Sequence, residues 1–142
     1  MSIEQNKATA RRWFTDIITQ GKLDVADEIF AANHVAHDPH GPPGGWPNGP
    51  ESLKTLAGPF RVAFADLRVT IDDQIAEGDK VVTRWTARGT HTGPLKGMPA
   101  TGNTVTVTGA NVARLADGKI AESWFNFDML TLLQQLGAIP KA

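Results

Sequence analysis

The spacing of the apolar residues changes midway along the chain, and this change constrains the fold more than any other feature. Before residue 67 apolar residues recur every three or four positions, which places them along one side of a helix. The first such run is Ala10, Trp13, Phe14, Ile17 and Ile18. From Leu67 onward apolar and polar residues alternate, as in strands with one buried face. Helices followed by strands predict an α+β domain with helices packed on one face of a sheet.

Local signals mark the ends of the predicted helices. Ser2 and Gln5 have the spacing of a capping box, and Gly21 predicts the end of the first helix because glycine tolerates a left-handed backbone. A later helix is predicted from the spacing of Leu53, Leu56, Ala57, Phe60 and Phe64. It contains Pro59, so we expect a kink or a division there. Asp128 is interpreted as the N-cap of a C-terminal helix rather than as a catalytic carboxylate.

Four strands are predicted in the second half, and short turns between them indicate an antiparallel meander. The turn at Asp117-Gly118 leaves two registers open. A three-residue loop places Ser123 and Phe125 on the same face as Asn111, whereas a two-residue loop places Trp124 there. The three-residue loop is favoured because the sequence fits a type I turn followed by a left-handed glycine.

Composition narrows the possible functions. A chain of 142 residues with 41% apolar and 20% charged residues is typical of one globular domain, here taken as residues 1–142. The net charge of −1 argues against nucleic acid and anionic membranes as partners. The absence of cysteine excludes disulfides and thiolate chemistry. With neither a signal-like start nor a long apolar run, the expected location is the cytoplasm.

The segment Pro39 to Pro50 is the least regular part of the sequence. It contains five prolines and four glycines around Trp46, a composition that excludes a helix or an inner strand. One interpretation is a lid over a cavity, with Trp46 as its apolar cover. The other is a rigid surface connection whose tryptophan fills the core or a subunit contact.

Three histidines and an aspartate lie around the start of this segment: His34, His37, Asp38 and His40. In a strand His34 and His37 would point to opposite faces, so we predict no metal site. His37 and Asp38 are instead candidates for an acid/base pair at a cavity mouth, because histidine titrates near neutral pH. The alternative is an exposed histidine beside a turn-forming aspartate.

The strands add two candidates for the polar groups of a site. Arg84 and Trp85 are neighbours in a strand, so only one can face the helices, and the sequence leaves that choice open. An inward Arg84 would need a carboxylate or a carbonyl substrate as partner. Asn111 interrupts a row of small and apolar residues and would be a buried amide in need of a partner.

Several motifs together resemble the SnoaL-like polyketide cyclase family over nearly the whole chain. They are His37-Asp38, Val82-Thr83-Arg84-Trp85-Thr86-Ala87, Gly89-Thr90-His91-Thr92-Gly93, Leu95-Lys96-Gly97-Met98-Pro99, Asp117-Gly118-Lys119-Ile120 and the tail Phe127 to Gly137. The resemblance implies a nuclear-transport-factor-2-like fold, an α+β barrel in which a cone-shaped, curved antiparallel sheet packs against N-terminal helices around an apolar pocket. It also implies a homodimer formed through the sheet, and neither metal nor organic cofactor.

The resemblance also implies the chemistry of the true cyclases, an aldol closure in which an aspartate on the last strand moves a proton next to a carbonyl. The ungapped match places Phe125 at that aspartate and Ser123 at a histidine common in relatives. Other pocket positions of the cyclases fall on His37, Gly109 and Asn111. The pocket therefore matches in outline, but an aromatic ring replaces its acid/base group.

The first functional hypothesis is a small cofactor-independent enzyme acting on a hydrophobic, ring-forming or aromatic polyketide-like substrate. The expected chemistry is an aldol cyclisation or that of a hydroxylase component. His37 would be the acid/base group and Asp38 its orienting carboxylate, while Asn111 and Arg84 would polarise a substrate carbonyl.

The alternative hypothesis is a non-catalytic protein that holds a hydrophobic small molecule in the same pocket, which the missing aspartate favours. A purely structural role would rest only on Trp124 as an assembly contact. Both pocket hypotheses predict the same substrate contacts. These are Trp13, Trp46, Phe60, Phe64, His91, Ser123, Phe125 and Phe127.

Overall fold

The computed structural model describes residues 2–140 and shows the predicted α+β architecture, with helices packed against one sheet. The helical elements are α1 (Ile3–Arg12), a π-helical segment (Trp13–Thr19), a 3₁₀ turn (Leu23–Val25), α2 (Ala26–Ile29), α3 (Pro50–Ala63) and α4 (Met129–Gln135). The strands are β1 (Phe30–His37), β2 (Arg68–Glu77), β3 (Lys80–Thr90), β4 (Thr104–Ala116) and β5 (Lys119–Phe127).

The sheet is mixed and open, with strand order β1-β5-β4-β3-β2. The predicted meander is confirmed for β2 to β5, which pair as antiparallel neighbours. The expected fold class is confirmed, but the sheet is not antiparallel throughout, because β1 pairs parallel to β5, and it is open rather than a barrel, because the edges β1 and β2 remain separate. A parallel pair needs a long crossover, which the chain between β1 and β5 provides. Polar residues interrupt the apolar pattern of β1, so alternation did not indicate a strand there.

The helix ends follow their local signals. Ser2 and Gln5 form the capping box, and Gly21 follows the first helical run with a φ of 73°. Asp128 caps α4 by accepting a hydrogen bond from the backbone N–H of Thr131. Of the kink or division expected at Pro59, the division is wrong, since α3 continues through Pro59 as one helix. Among residues 2–140 no helix combines the length and apolar character required to cross a membrane.

The β4–β5 hairpin closes with two residues rather than the favoured three. Ala116 pairs with Lys119, so the loop consists of Asp117 and Gly118 alone. Both have positive φ values, 52° and 78°, which is the geometry of a type I′ turn. This turn matches the right-handed twist of the flanking strands, and aspartate tolerates the left-handed region better than most residues.

A β-bulge directly after the turn reverses its effect on the register. Ile120 and Glu122 pair with consecutive residues of β4, so Ala121 has no partner of its own. The extra residue shifts the side-chain alternation by one. Ser123 and Phe125 therefore face the helices, as predicted, although the loop that was expected to place them there is wrong.

The core has two parts with a cavity between them. One cluster packs α1, the π-helical segment and α2 against the sheet around Phe30 and Ile17. The other joins the end of α3 to α4 and to β4 around Phe64 and Leu132. The cavity takes wall residues from both clusters, and these fix its shape.

Candidate functional site: an aromatic cavity

A cavity with a volume of about 430 Å³ opens beside the Pro39 to Pro50 segment. This volume is within the usual range for small-molecule sites. Its walls are mostly aromatic and aliphatic side chains. Six of the eight predicted substrate contacts line it: Trp13, Trp46, Phe60, Phe64, Phe125 and Phe127.

Strand β3 turns Trp85, not Arg84, toward this cavity. The Trp85 indole lies in the wall, and the glycine at position 109 makes room for it, since a Cβ there would lie 2.3 Å from Trp85 Cζ2. The Arg84 side chain is 60% exposed on the opposite face, with Nε 3.9 Å from Asp73 Oδ2. The prediction of Arg84 as a catalytic group is therefore corrected. An inward guanidinium would face apolar walls without a partner, and water solvates it at lower cost.

Asn111 lies in the cavity wall and is 8% exposed. Its Oδ1 accepts a hydrogen bond of 3.0 Å from Trp85 Nε1. Because an indole N–H only donates, this contact fixes which end of the amide is the oxygen. Within residues 2–140 no hydrogen bond uses the amide nitrogen of Asn111. The side chain thus offers an oriented N–H donor within an apolar cavity.

His37 and Asp38 do not form the predicted acid/base pair. His37 lies on the outer face, where its Nε2 is 2.6 Å from Glu122 Oε2 and its ring stacks on Trp124 at 5.1 Å. The hydrogen bond from His37 lowers the pKa of the Glu122 carboxyl. His37 is therefore corrected from a cavity acid/base group to an exposed partner of Glu122, because β1 directs it away from the helices.

Asp38 lines the cavity but binds the loop that follows it. Its Oδ2 accepts a hydrogen bond of 3.1 Å from Trp46 Nε1, and its Oδ1 accepts one of 3.0 Å from the backbone N–H of His40. Gly41 permits this arrangement, since a Cβ there would lie 2.8 Å from Trp46 Nε1. These contacts fasten the Trp46 indole at the cavity, where both Trp46 and Asp38 form part of the wall.

Two predicted contacts, Ser123 and His91, lie outside the main cavity. Ser123 Oγ lies 2.8 Å from Nε2 of the fully buried His34. Burial lowers the pKa of His34 to about 4. Ser123 lines a separate small cavity of about 20 Å³ that also touches Asn111. His91 is buried beside Phe64, and its Nδ1 accepts a hydrogen bond from the Thr101 backbone N–H. Both His34 and His91 are therefore packed inside the protein and do not line the main cavity.

Sequence reasoning missed two charged or titratable residues of the wall, His40 and Lys96. The nearest signal was the concentration of glycine and proline between Thr92 and Thr101, which predicts an irregular lip. Lys96 lies in a tight turn of this lip. No three histidine, aspartate or glutamate side chains converge as a metal site would require anywhere between residues 2 and 140.

Three solved structures resemble this chain along most of its length. TsrD from Streptomyces laurentii is 26% identical, with a TM-score of 0.85 over 98% of this chain and 99% of that one. IdmH from Streptomyces antibioticus, proposed to be a polyketide cyclase, is 33% identical, with a TM-score of 0.80 over 94% and 99%. AclR from Streptomyces galilaeus, proposed to be a hydroxylase, is 25% identical, with a TM-score of 0.85 over 99% and 86%.

A comparison with curated proteins found no match. The family comparison agrees with the solved structures, because residues 8–136 match the model described as SnoaL-like polyketide cyclase. This match includes the sheet from β1 to β5, α3 and α4, and so it contains the entire described cavity wall. The chain therefore belongs to the SnoaL-like polyketide cyclase family.

Proposed function

We propose that the chain binds an apolar, ring-containing, polyketide-like molecule in the aromatic cavity, without a bound cofactor, and holds one of its carbonyl groups on Asn111. The observation that carries this proposal is the oriented amide nitrogen of Asn111 in a mostly apolar wall. A flat ring system would contact the aromatic side chains, and its carbonyl oxygen would accept the N–H.

The amide also provides selectivity. A ligand without a carbonyl would bury the Asn111 N–H without a partner, at a cost of about 1–3 kcal/mol. A ligand with a carbonyl avoids that cost. The cavity therefore favours ketones, quinones and esters over hydrocarbons of the same shape.

The experiment compares fluorenone with fluorene, which differ by one carbonyl group. Binding is followed by tryptophan quenching, since three of the four tryptophans, Trp13, Trp46 and Trp85, line the cavity. We expect Asn111→Leu to weaken fluorenone binding about tenfold and to strengthen fluorene binding, because the variant no longer buries an unpaired N–H against the hydrocarbon. Asn126→Leu on exposed Asn126 is the control and should change neither. Equal affinities of both compounds for the wild-type chain would reject the role of Asn111.

Catalysis is a second candidate, and Asp38 is the observation that favours it. Asp38 is the sole carboxylate among the described wall residues, and the position expected to carry the cyclase aspartate is Phe125. When ionised, Asp38 could take the proton next to a bound carbonyl, which Asn111 would polarise. This assignment changes Asp38 from an orienting group to the proton acceptor.

A synthetic oligo-β-ketone distinguishes binding from catalysis. If Asp38 acts as the base, the wild-type chain accelerates ring closure over the buffer rate, measured by mass spectrometry, and Asp38→Asn removes the acceleration while fluorenone still binds. Ring closure that is no faster with the wild-type chain than in buffer alone would reject catalysis and leave ligand binding as the function.

A further inference from the structure

We propose that Lys96 makes the cavity selective for ligands that carry an acidic group, such as a carboxylate, beside their apolar ring system. This proposal rests on the proposed ligand binding and names its ligand class more closely. Lys96 lines the cavity, and within residues 2–140 it is the wall's one lysine or arginine.

The turn that carries Lys96 is fixed at both ends. Leu95 and Met98 exchange two backbone hydrogen bonds of 2.9 and 2.8 Å, which leaves Lys96 and Gly97 as the two residues of the tip. Leu95 is 5% exposed and belongs to the core cluster around Phe64. The tip therefore has a defined place at the cavity, and the lysine side chain starts from a rigid base.

The backbone of Lys96 has a conformation that lysine rarely adopts. Its φ is 47°, and in the described chain the one other non-glycine residue with positive φ is Asp117. Aspartate is favoured in such turns because its short side chain can bond the nearby backbone, whereas lysine has no such compensation. Asparagine, aspartate or glycine would fit the turn better, so a use for the ammonium group explains why lysine stands there.

The charges around the cavity leave this ammonium available for a ligand. Lys96 makes no ion pair with any carboxylate in residues 2–140. The Asp38 carboxylate already accepts hydrogen bonds from Trp46 and from the His40 backbone. Apolar walls strengthen the attraction between an ammonium and an anion at the cavity mouth, because they lower the local dielectric constant. An acidic substituent on a bound ring would therefore pair with Lys96.

Two fluorescent probes with the same ring skeleton test this inference. One is 1-anilinonaphthalene-8-sulfonate, which carries an anionic sulfonate, and the other is the neutral N-phenyl-1-naphthylamine. We expect Lys96→Met to weaken binding of the sulfonate about fivefold and to leave binding of the neutral probe unchanged. Lys96→Arg should preserve both affinities, and 0.5 M salt should reduce the effect of Lys96→Met.

Lys80→Met is the matched control, since it removes the same charge from an exposed position outside the cavity. It should change neither affinity. An unchanged sulfonate affinity in Lys96→Met would overturn the proposal. An equal loss for both probes would overturn it too, because it would show that the lysine stem contributes apolar contact rather than charge.

Displacement by fluorenone separates this proposal from the function on which it rests. Fluorenone should release both probes from the wild-type chain if they occupy the cavity. Probes that fluorenone does not displace would overturn the ligand-binding function and this inference together. Displaced probes with no charge selectivity would overturn this inference alone.

Discussion

The two ends of the inner face of the sheet differ in how they are filled, although the same strands run through both. At one end Phe30, Ile120 and Val81 pack directly against the first helices, and each is at most 2% exposed. At the other end Trp85 and Phe127 face a cavity of about 430 Å³. We call these the solid end and the hollow end.

The difference shows that strand alternation sets which side chains face the helices. It does not set whether other side chains fill the space between the sheet and the helices. The solid end is covered by α1, the π-helical segment and α2, whose apolar sides meet the sheet. The hollow end is bordered by α3, α4 and the Pro39 to Pro50 segment. That segment cannot form a helix with an apolar side, because its prolines and glycines prevent it.

The largest expected effect is the contrast between two phenylalanines. Phe30→Ala at the solid end should lower the free energy of unfolding by about 4 kcal/mol, since it removes a ring packed against Trp13 and His34. Phe127→Ala at the hollow end should cost about 1–2 kcal/mol, because Phe127 is only half-buried and already borders empty space. Urea denaturation of both variants measures the contrast. Equal losses would indicate that the cavity closes in solution.

A second, smaller effect tests the solid end through pH. Burial lowers the pKa of His34 from 6.5 to about 4, so the folded chain keeps it neutral while the unfolded chain protonates it below 6.5. Above pH 6.5 His34 is neutral in both states, and its titration does not affect stability. As the pH falls from 6.5 to about 4, protonation of His34 in the unfolded chain lowers the stability of the fold. The free energy of unfolding should fall by up to about 3 kcal/mol over this window.

Urea denaturation at several pH values checks this expectation with a matched pair. His34→Gln should flatten the slope between pH 6.5 and 4.5. His37→Gln, three residues away on the exposed face, should retain it. The same slope in both variants would show that another group is responsible.

The smallest expected effect concerns the outer face of the sheet. Arg84→Ala should change the free energy of unfolding by less than about 0.5 kcal/mol, since Arg84 is exposed and its nearest carboxylate oxygen is 3.9 Å away. Fluorenone affinity should stay at the wild-type value. A loss of affinity comparable to that of Asn111→Leu would instead place the guanidinium at the hollow end.

The parts of the fold that were predictable depend on short stretches of chain. The Ser2 and Gln5 capping box, the end of the helix at Gly21 and the Asp128 cap each involve residues within four positions of one another. The β1 strand was not predictable in the same way. Its residues do not alternate, and its position depends on pairing with β5 about 90 residues later.

The site was predictable in part for a related reason. Aromatic side chains such as Trp13 and Phe60 were identified because their apolar spacing predicts which side of each helix they occupy. Asp38 lines the cavity, but its side-chain hydrogen-bond partner is Trp46 rather than His37. Hydrogen-bond partners of this kind depend on how a loop closes, and periodicity carries no information about that closure.

The sequence alone determined the order of helices and strands, the ends of several helices and the aromatic character of the inner face, because these follow from local backbone preference and from periodicity. Only the tertiary structure decided that Trp85 rather than Arg84 faces inward, and that the bulge at Ala121 returns Phe125 to the wall. A shift of one residue in strand pairing exchanges the two faces of a strand. Pairing is settled by packing across the whole sheet, which no single segment of the sequence contains.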